Sequence, residues 1–267
     1  MIRSLDVSPR AAKAAHPLVE PPEADARIAI FSDVHGNLQA LDAVLADIAS
    51  LGVRNFLCLG DLVGYGADPG PCVDRIRALD CIVLLGNHDE VAASNGRLPD
   101  YWSELALETM RYTRSRLSVA QKRYLQKLPL SHEDGDCVFV HGSLHEPAAF
   151  NYVLDRDSAA AHFDAQEYPV SFFGHTHVPV VFRLGPRNHL TWARGHGRIQ
   201  LGPGASHALN PGAVGQPRDE DPRASYLVFD AESGLAEFRR VSYDVDRAVA
   251  RIRAARLPDE AAERLVR

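Results

Sequence analysis

The chain is poor in the features that mark secreted, membrane-embedded or nucleic-acid-coating proteins. It has four cysteines in 267 residues, and none forms a C-x-x-C pair. A disulfide framework is therefore not indicated, which suits a reducing, cytoplasmic compartment. Cys58, Cys72, Cys81 and Cys137 read as small apolar packing residues, three of them inside apolar runs. Positive charge is also in deficit. Lys and Arg number 29 against 35 Asp and Glu, a formal net charge of -6, so no nucleic-acid backbone partner is expected. No apolar run reaches the ~20 residues of a membrane span, and no membrane partner is expected. Residues 1–26 lack the unbroken apolar stretch of a signal peptide, and Pro17, Pro21 and Pro22 oppose a helix there. They read as a flexible N-terminal extension. There is no internal repeat of solenoid length.

The remainder, 27–267, has the length and the 46% hydrophobic content of one domain able to bury its own core. Its first half alternates strand and helix. Apolar runs at Ile28 to Phe31, Phe56 to Leu59 and Ile82 to Leu85 are separated by helically spaced sets, Leu38, Leu41, Val44, Leu45 and Ile48, then Cys72, Val73, Ile76 and Leu79. That is a βαβαβ pattern, with parallel strands and right-handed crossovers. Residues 91–130 form a helical insertion split near Ser118. Its apolar positions suit packing on the core, and the alternative is a cap beside the site. Strand resumes at Cys137 to Val140, helix at Asp155 to Asp164 and strand at Val170 to Phe173. From Val178 the chain is mainly strand, and a charged helix follows from Val245. Two β layers with helices outside is the simplest packing of these elements.

Five polar motifs each follow one of the apolar runs. They read Asp33-Val34-His35, Gly60-Asp61, Gly86-Asn87-His88-Asp89, His141-Gly142 and Gly174-His175-Thr176-His177. Buried sheets place chemistry at the carboxyl ends of their strands. The motifs therefore predict seven candidate metal ligands leaving the same edge of one sheet: Asp33, His35, Asp61, Asn87, His141, His175 and His177. Mixed imidazole, carboxylate and amide donors suit Mn, Fe, Zn or Co better than an all-oxygen calcium cage. Two divalent ions, two carboxylates and a bridging hydroxide would leave a site near +1, suited to an anionic phosphate ester. His88 has no ligand duty in this reading and is free to serve as a general acid, with Asp89 orienting and charging it. Isolated histidines such as His16, His132, His162 and His189 read as surface or satisfied polar residues. His145 stays open because it follows His141.

The motif set D-x-H, G-D-x-x-G, G-N-H-D, H-G and G-H-T-H resembles that of the calcineurin-like metallophosphoesterases, over Ile28 to about Asp230. The resemblance implies an α/β fold, a four-layered α/β/β/α sandwich of two mixed β-sheets flanked by helices. It also implies a dinuclear centre, Mn favoured. One metal would take Asp33, His35, Asp61 and His177, and the other Asp61, Asn87, His141 and His175. His88 would be the leaving-group acid or a phosphate contact.

Departures from the family's patterns bear on the substrate. The Ser/Thr protein phosphatases and symmetrical dinucleoside tetraphosphatases of the family carry arginines where this chain has Leu85 and Gly64-Tyr65-Gly66. Without those guanidinium forks a dianionic monoester loses more than a diester does. A phosphodiesterase that attacks with the bridging hydroxide is the favoured expectation, with phosphomonoesters as secondary substrates. The alternatives are a nucleotide or dinucleoside polyphosphate hydrolase, a Ser/Thr protein phosphatase-like enzyme, or a non-catalytic scaffold. Tyr65 could stack on a base or aryl group. The stretch Asn210 to Arg218 resembles a loop of the small bacterial and archaeal phosphodiesterase-like members. Arg218 and Arg223 could replace the missing phosphate contacts. The oligomeric state is left open.

Overall fold

Strand β1 (Arg27–Phe31) buries Ala29 and Phe31 in one apolar cluster and Ile30 in another. A strand buried on both faces needs a layer against each. That alternation organises the molecule, which is a computed structural model describing residues 26–79 and 81–266. Apart from Ala26, the expected N-terminal extension lies outside the described residues.

After β1 come α1 (Leu38–Ser50), β2 (Asn55–Cys58), α2 (Pro69–Arg77), β3 (Ile82–Val83), α3 (Asn87–Ala93), α4 (Glu104–Arg116) and α5 (Val119–Leu125). Next are β4 (Ser131–Asp134), β5 (Cys137–Val140), α6 (Arg156–Asp164), β6 (Val170–Phe172), β7 (Val180–Gly185), β8 (His189–Arg194), β9 (Gly197–Gln200) and β10 (Ser206–Asn210). The chain closes with β11 (Ala224–Asp230), β12 (Leu235–Val241), α7 (Val245–Ala254) and α8 (Asp259–Glu263). One six-stranded sheet runs β3-β2-β1-β11-β12-β9 and the other β4-β5-β6-β10-β7-β8. Both are mixed. The β1–β2, β2–β3, β5–β6 and β6–β10 pairings are parallel and the rest antiparallel.

Between the sheets Leu57, Leu59, Phe139, Phe172, Leu227 and Phe229 form a shared core. Outside the first sheet, α1 buries Leu41, Val44 and Ile48 at helical spacing. Its start is fixed by Asn37, whose side chain accepts the Ala40 N–H at 3.1 Å. Ala159 and Phe163 of α6 cover the second sheet. The result is the expected α/β/β/α sandwich. The 91–130 segment holds α4 and α5, which meet at Leu117 and Ser118, and it buries Met110, Leu117 and Leu125 in the α1-side core.

One expectation is corrected. The motif strands do not share one sheet: β1, β2 and β3 belong to the first and β5 and β6 to the second. Strands of either sheet are buried and parallel here, so their sequences look alike.

His162, on α6, steadies the turn after His141. Its Nδ1 accepts the Leu144 N–H at 3.1 Å, so the ring proton sits on Nε2, 2.9 Å from Ser171 Oγ. Burial pushes His162 down to about 3. An unfolded chain takes up this proton near pH 6.5, whereas the folded one does not. The stabilisation is therefore complete above ~6.5 and lost as pH falls toward 3. Urea unfolding should show the wild type losing about 2 kcal/mol more than His162→Asn between pH 7 and 5. Equal losses would contradict this.

Candidate metal centre

The first and second sheets present their motif loops to one another, and the candidate ligands meet where they face. Asp33 and His35 follow β1, Asp61 follows β2 and Asn87 opens α3. His141 follows β5, and His175 and His177 follow β6. Five of these seven residues have left-handed backbone: Asp33 (φ 57°), His35 (47°), Asp61 (56°), His175 (67°) and His177 (62°). Non-glycine residues rarely adopt that region, and such strain collects at functional sites. The backbone bends back at these points so that each side chain turns inward. The loops are laced together: Asp33 N–H donates to Gly60 O at 3.0 Å, His35 N–H to Asp61 O at 3.0 Å, and Gly174 N–H to His141 O at 2.8 Å. At two crossings no side chain fits. A Cβ on Gly86 would collide with the Asp61 carboxylate, and one on Gly174 with Ser32 Oγ.

The imidazoles are fixed by carbonyl oxygens, which only accept. His35 Nδ1–H donates to Val63 O at 2.9 Å, His141 Nδ1–H to Leu59 O at 3.0 Å, and His177 Nδ1–H to Gln216 O at 2.7 Å. In the neutral form each of these rings turns a bare Nε2 lone pair inward. The Nε2 atoms of His35 and His177 are 3.0 Å apart, and His141 Nε2 lies 3.2 Å from His175 Nδ1. Lone pairs that close require a cation between them, either a proton or a metal. Asp33 Oδ1 is 3.3 Å from His177 Nε2, and Asp61 Oδ2 is 3.4 Å from His141 Nε2 and 3.6 Å from His35 Nε2. The fit to divalent ions is good on three counts. Asp33, His35 and His177 converge within 4.8 Å, as do Asp61, His141 and His175, and a third set joins His35, Asp61 and His88. Among the described residues, buried Asp33 Oδ1 and Asn87 Oδ1 find no hydrogen-bond partner. The donor set mixes imidazole nitrogen with carboxylate and amide oxygen, as transition-metal sites do.

Electrostatics agree. Burial alone would raise Asp61, but His141, His88 and His35 hold it well below the carboxylate range. His141 is pulled down by burial, yet Asp61, Asp33 and Asp89 lift it to about 9, so a proton occupies its inner nitrogen when no metal competes. Burial pushes His175 down to about 3 and His35 down as well, so both rings stay neutral donors.

The other expected residues fall as follows. His88 is buried and lines the cleft beside the centre, its ring 4.4 Å from Trp102 and 4.9 Å from Tyr65 and from His35. Tyr65 also lines it. Asp89 requires a correction, because it does not charge His88. Its Oδ1 accepts the N–H groups of Leu62 (2.9 Å) and Val63 (3.3 Å), and its Oδ2 that of Gly86 (3.3 Å). Neighbours on a helix point ~100° apart, which separates the two side chains. Asp89 instead ties the Asp61 loop to the start of α3. Arg218 reaches the cleft, and its N–H donates to His177 O at 3.3 Å. Arg223 is not among the residues lining the cleft; it grips Asp221 through Nε and Nη2 at 2.7 to 3.2 Å. Tyr152, stacked on His175 at 3.8 Å, is a site residue that sequence reasoning missed, whereas Gln216, whose carbonyl orients His177, lies in the Asn210 to Arg218 stretch. Trp102, inside the helical insertion, and Arg264, at the end of α8, also line the cleft, and neither stands out by residue type or spacing.

Residues 27–234 match the calcineurin-like phosphoesterase superfamily domain. The chain belongs to that superfamily. An uncharacterized protein of Methanocaldococcus jannaschii is 36% identical over 242 residues, covering 89% of this chain and 96% of the relative. A metallophosphoesterase from Sphaerobacter thermophilus has a crystal structure that superposes with TM-score 0.80 at 38% identity, covering 90% of this chain and 98% of that one. A hypothetical protein from Pyrococcus horikoshii OT3 shares the fold, with TM-score 0.73 and 22% identity over 90% of this chain and 97% of that one. Among the described residues, no helix is long and apolar enough to cross a membrane.

Divalent binding should stabilise the folded chain by about 2.7 kcal/mol at a hundredfold excess over Kd. Mn²⁺ is therefore expected to raise the unfolding temperature of the wild type but not of Asp61→Ala. A shift that survives in the variant would place the ions elsewhere.

Proposed function

We propose that this protein hydrolyses phosphate esters, phosphodiesters foremost, with two divalent ions held side by side. The observation that carries the reading is the position of Asp61, whose Oδ2 lies between His35 at 3.6 Å and His141 at 3.4 Å. A carboxylate there can serve both ligand groups. Asp33, His35, Asp61 and His177 would hold one ion, and Asp61, Asn87, His141 and His175 the other. Among Mn, Fe, Zn and Co, Mn is favoured. Bound ions would polarise the ester and lower the pKa of water toward ~7.

The chain's own residues do the rest. His88 is held by Trp102 and Tyr65 at the edge of the centre. Burial pushes it down to about 4, so at neutral pH it offers a neutral ring N–H to an ester oxygen rather than a stored positive charge. This favours a hydrogen-bonding role at the phosphate or departing oxygen. Asp89 keeps that ring in place through the backbone of Leu62, Val63 and Gly86. Leu85 and the stretch Gly64-Tyr65-Gly66 stand where related phosphatases use arginine, so a singly charged diester is better matched than a dianionic monoester. The walls Trp102 and Tyr152 favour nucleotide-type esters as a second reading. Residues 27–267 would work as one domain, with Tyr101 to Ser103 forming part of the cleft wall, in the cytoplasm that the cysteine usage suits.

Purified protein with Mn²⁺ should cleave bis-p-nitrophenyl phosphate with higher kcat/KM than p-nitrophenyl phosphate. His88→Ala should lose on the order of 10²-fold or more in kcat while retaining its Mn²⁺, as removal of a proton-handling group does. Full activity in the variant would remove His88 from the reaction, and no turnover by the wild type would overturn the hydrolase reading.

A further inference from the structure

The cleft beside the centre encloses about 490 Å³, and an adjoining hollow about 430 Å³. Two arginines, Arg218 and Arg264, line both. Arg218 comes from the loop after β10, whereas Arg264 comes from the end of α8, beyond the stretch 27–234 that matches the superfamily domain. The C-terminal helices are packed to deliver it: Ala261, Ala262 and Leu265 are buried in one cluster with Tyr65 and with Ala106 of α4. Both guanidinium carbons lie 5.9 Å from the centre of the Tyr65 ring. That ring is itself 4.9 Å from the rings of His35 and His88. Two positive groups thus share one aromatic platform next to the candidate metal centre, in a chain whose net charge is -6.

Their internal partners are weak. Arg218 donates to the amide oxygen of Gln216 at 3.3 Å and pairs with no carboxylate among the described residues. Arg264 pairs with Glu260 four positions earlier at 2.7 Å, a half-exposed helical pair of the kind that exchanges readily with solvent or ligand. Guanidinium forks match phosphate oxygens in pairs, and the same cleft offers Trp102 and Tyr152 for stacking against a base.

We propose that Arg218 and Arg264 form an anion subsite that takes a second phosphate group of a nucleotide substrate, with the first at the metal centre. This rests on the phosphoesterase reading for the place of the first phosphate. It makes Arg264 a specificity residue supplied by the C-terminal helices.

Calorimetric titration of the full-length, Mn²⁺-loaded chain tests it with three probes: thymidine 5′-monophosphate, thymidine 3′,5′-bisphosphate and thymidine 5′-(α,β-methylene)diphosphate. The last two distinguish a sugar-linked from an anhydride-linked second phosphate. At least one of them should bind the wild type tenfold or more tighter than the monophosphate. Arg264→Gln and Arg218→Gln should each cut that advantage below threefold, Arg264→Lys should keep part of it, and Glu260→Gln should increase it by freeing the guanidinium. A merely structural Arg264–Glu260 pair would make Glu260→Gln behave like Arg264→Gln. No advantage in the wild type, or one that survives both Gln variants, overturns the proposal. If Arg264→Gln fails to fold by circular dichroism, Arg218→Gln, at an exposed position, decides alone. Turnover of bis-p-nitrophenyl phosphate is scored separately. Turnover without a bisphosphate advantage sinks the subsite alone, and an advantage without turnover sinks the hydrolase reading alone.

Discussion

Three histidine rings locked with their protons facing outward create the constraint on which this structure depends. Val63, Leu59 and Gln216 each offer a carbonyl oxygen to an Nδ1–H, so His35, His141 and His177 turn lone pairs toward two buried carboxylates. An interior crowded with acceptors is unstable without positive charge. The fold cannot relieve this by rotating the rings, because the carbonyls that orient them belong to loops that carry other candidate ligands or are hydrogen-bonded to them. Val63 follows Asp61, and Gln216 sits in the loop whose Gly215 N–H donates to Asp33 O at 2.9 Å. The result is a cluster of inward-facing acceptors suited to cations, built by backbone as much as by side chains.

The sandwich supplies the rigidity that this cage demands. Left-handed conformations at Asp33, His35, Asp61, His175 and His177 oppose local preference, and each persists only where surrounding contacts over-determine it. Those contacts are the parallel ladders ending just before the motifs, the inter-sheet core of Phe139, Phe172 and Phe229, and glycines such as Gly86 and Gly174 that let two loops touch. Splitting the ligands between sheets has a consequence of its own. The candidate site forms only when both sheets are packed together, so any cation affinity there would be coupled to inter-sheet packing.

Much of this was legible in the sequence, for an identifiable reason. Side chains able to ligate metal advertise their location when they end apolar runs, so Asp33, His35, Asp61, Asn87, His141, His175 and His177 could all be named as candidates, and the structure gathers them in one place. The α/β/β/α layering followed from the order of strands and helices. What stayed hidden depends on direction or partnership. Nothing in Cys137 to Val140 distinguishes it from Phe56 to Leu59, so the division between sheets was invisible. Asp89 beside His88 suggested a pair, but helical geometry sends one toward the cleft and the other toward the Asp61 loop. Arg223 and Arg264 look alike in the sequence as isolated basic residues, and only packing separates the one clamped by Asp221 from the one over Tyr65. Strand β4, polar and mostly exposed at a sheet edge, carries no alternation to read.

Anomalous diffraction from crystals soaked in Mn²⁺ would test the central idea most directly, because it locates cations without requiring a substrate. Two peaks flanking the Asp61 carboxylate, one beside the facing Nε2 atoms of His35 and His177 and one beside His141 and His175, are the expected result. A single peak remote from Asp61, or none with the His35 and His177 rings still in contact, would contradict it.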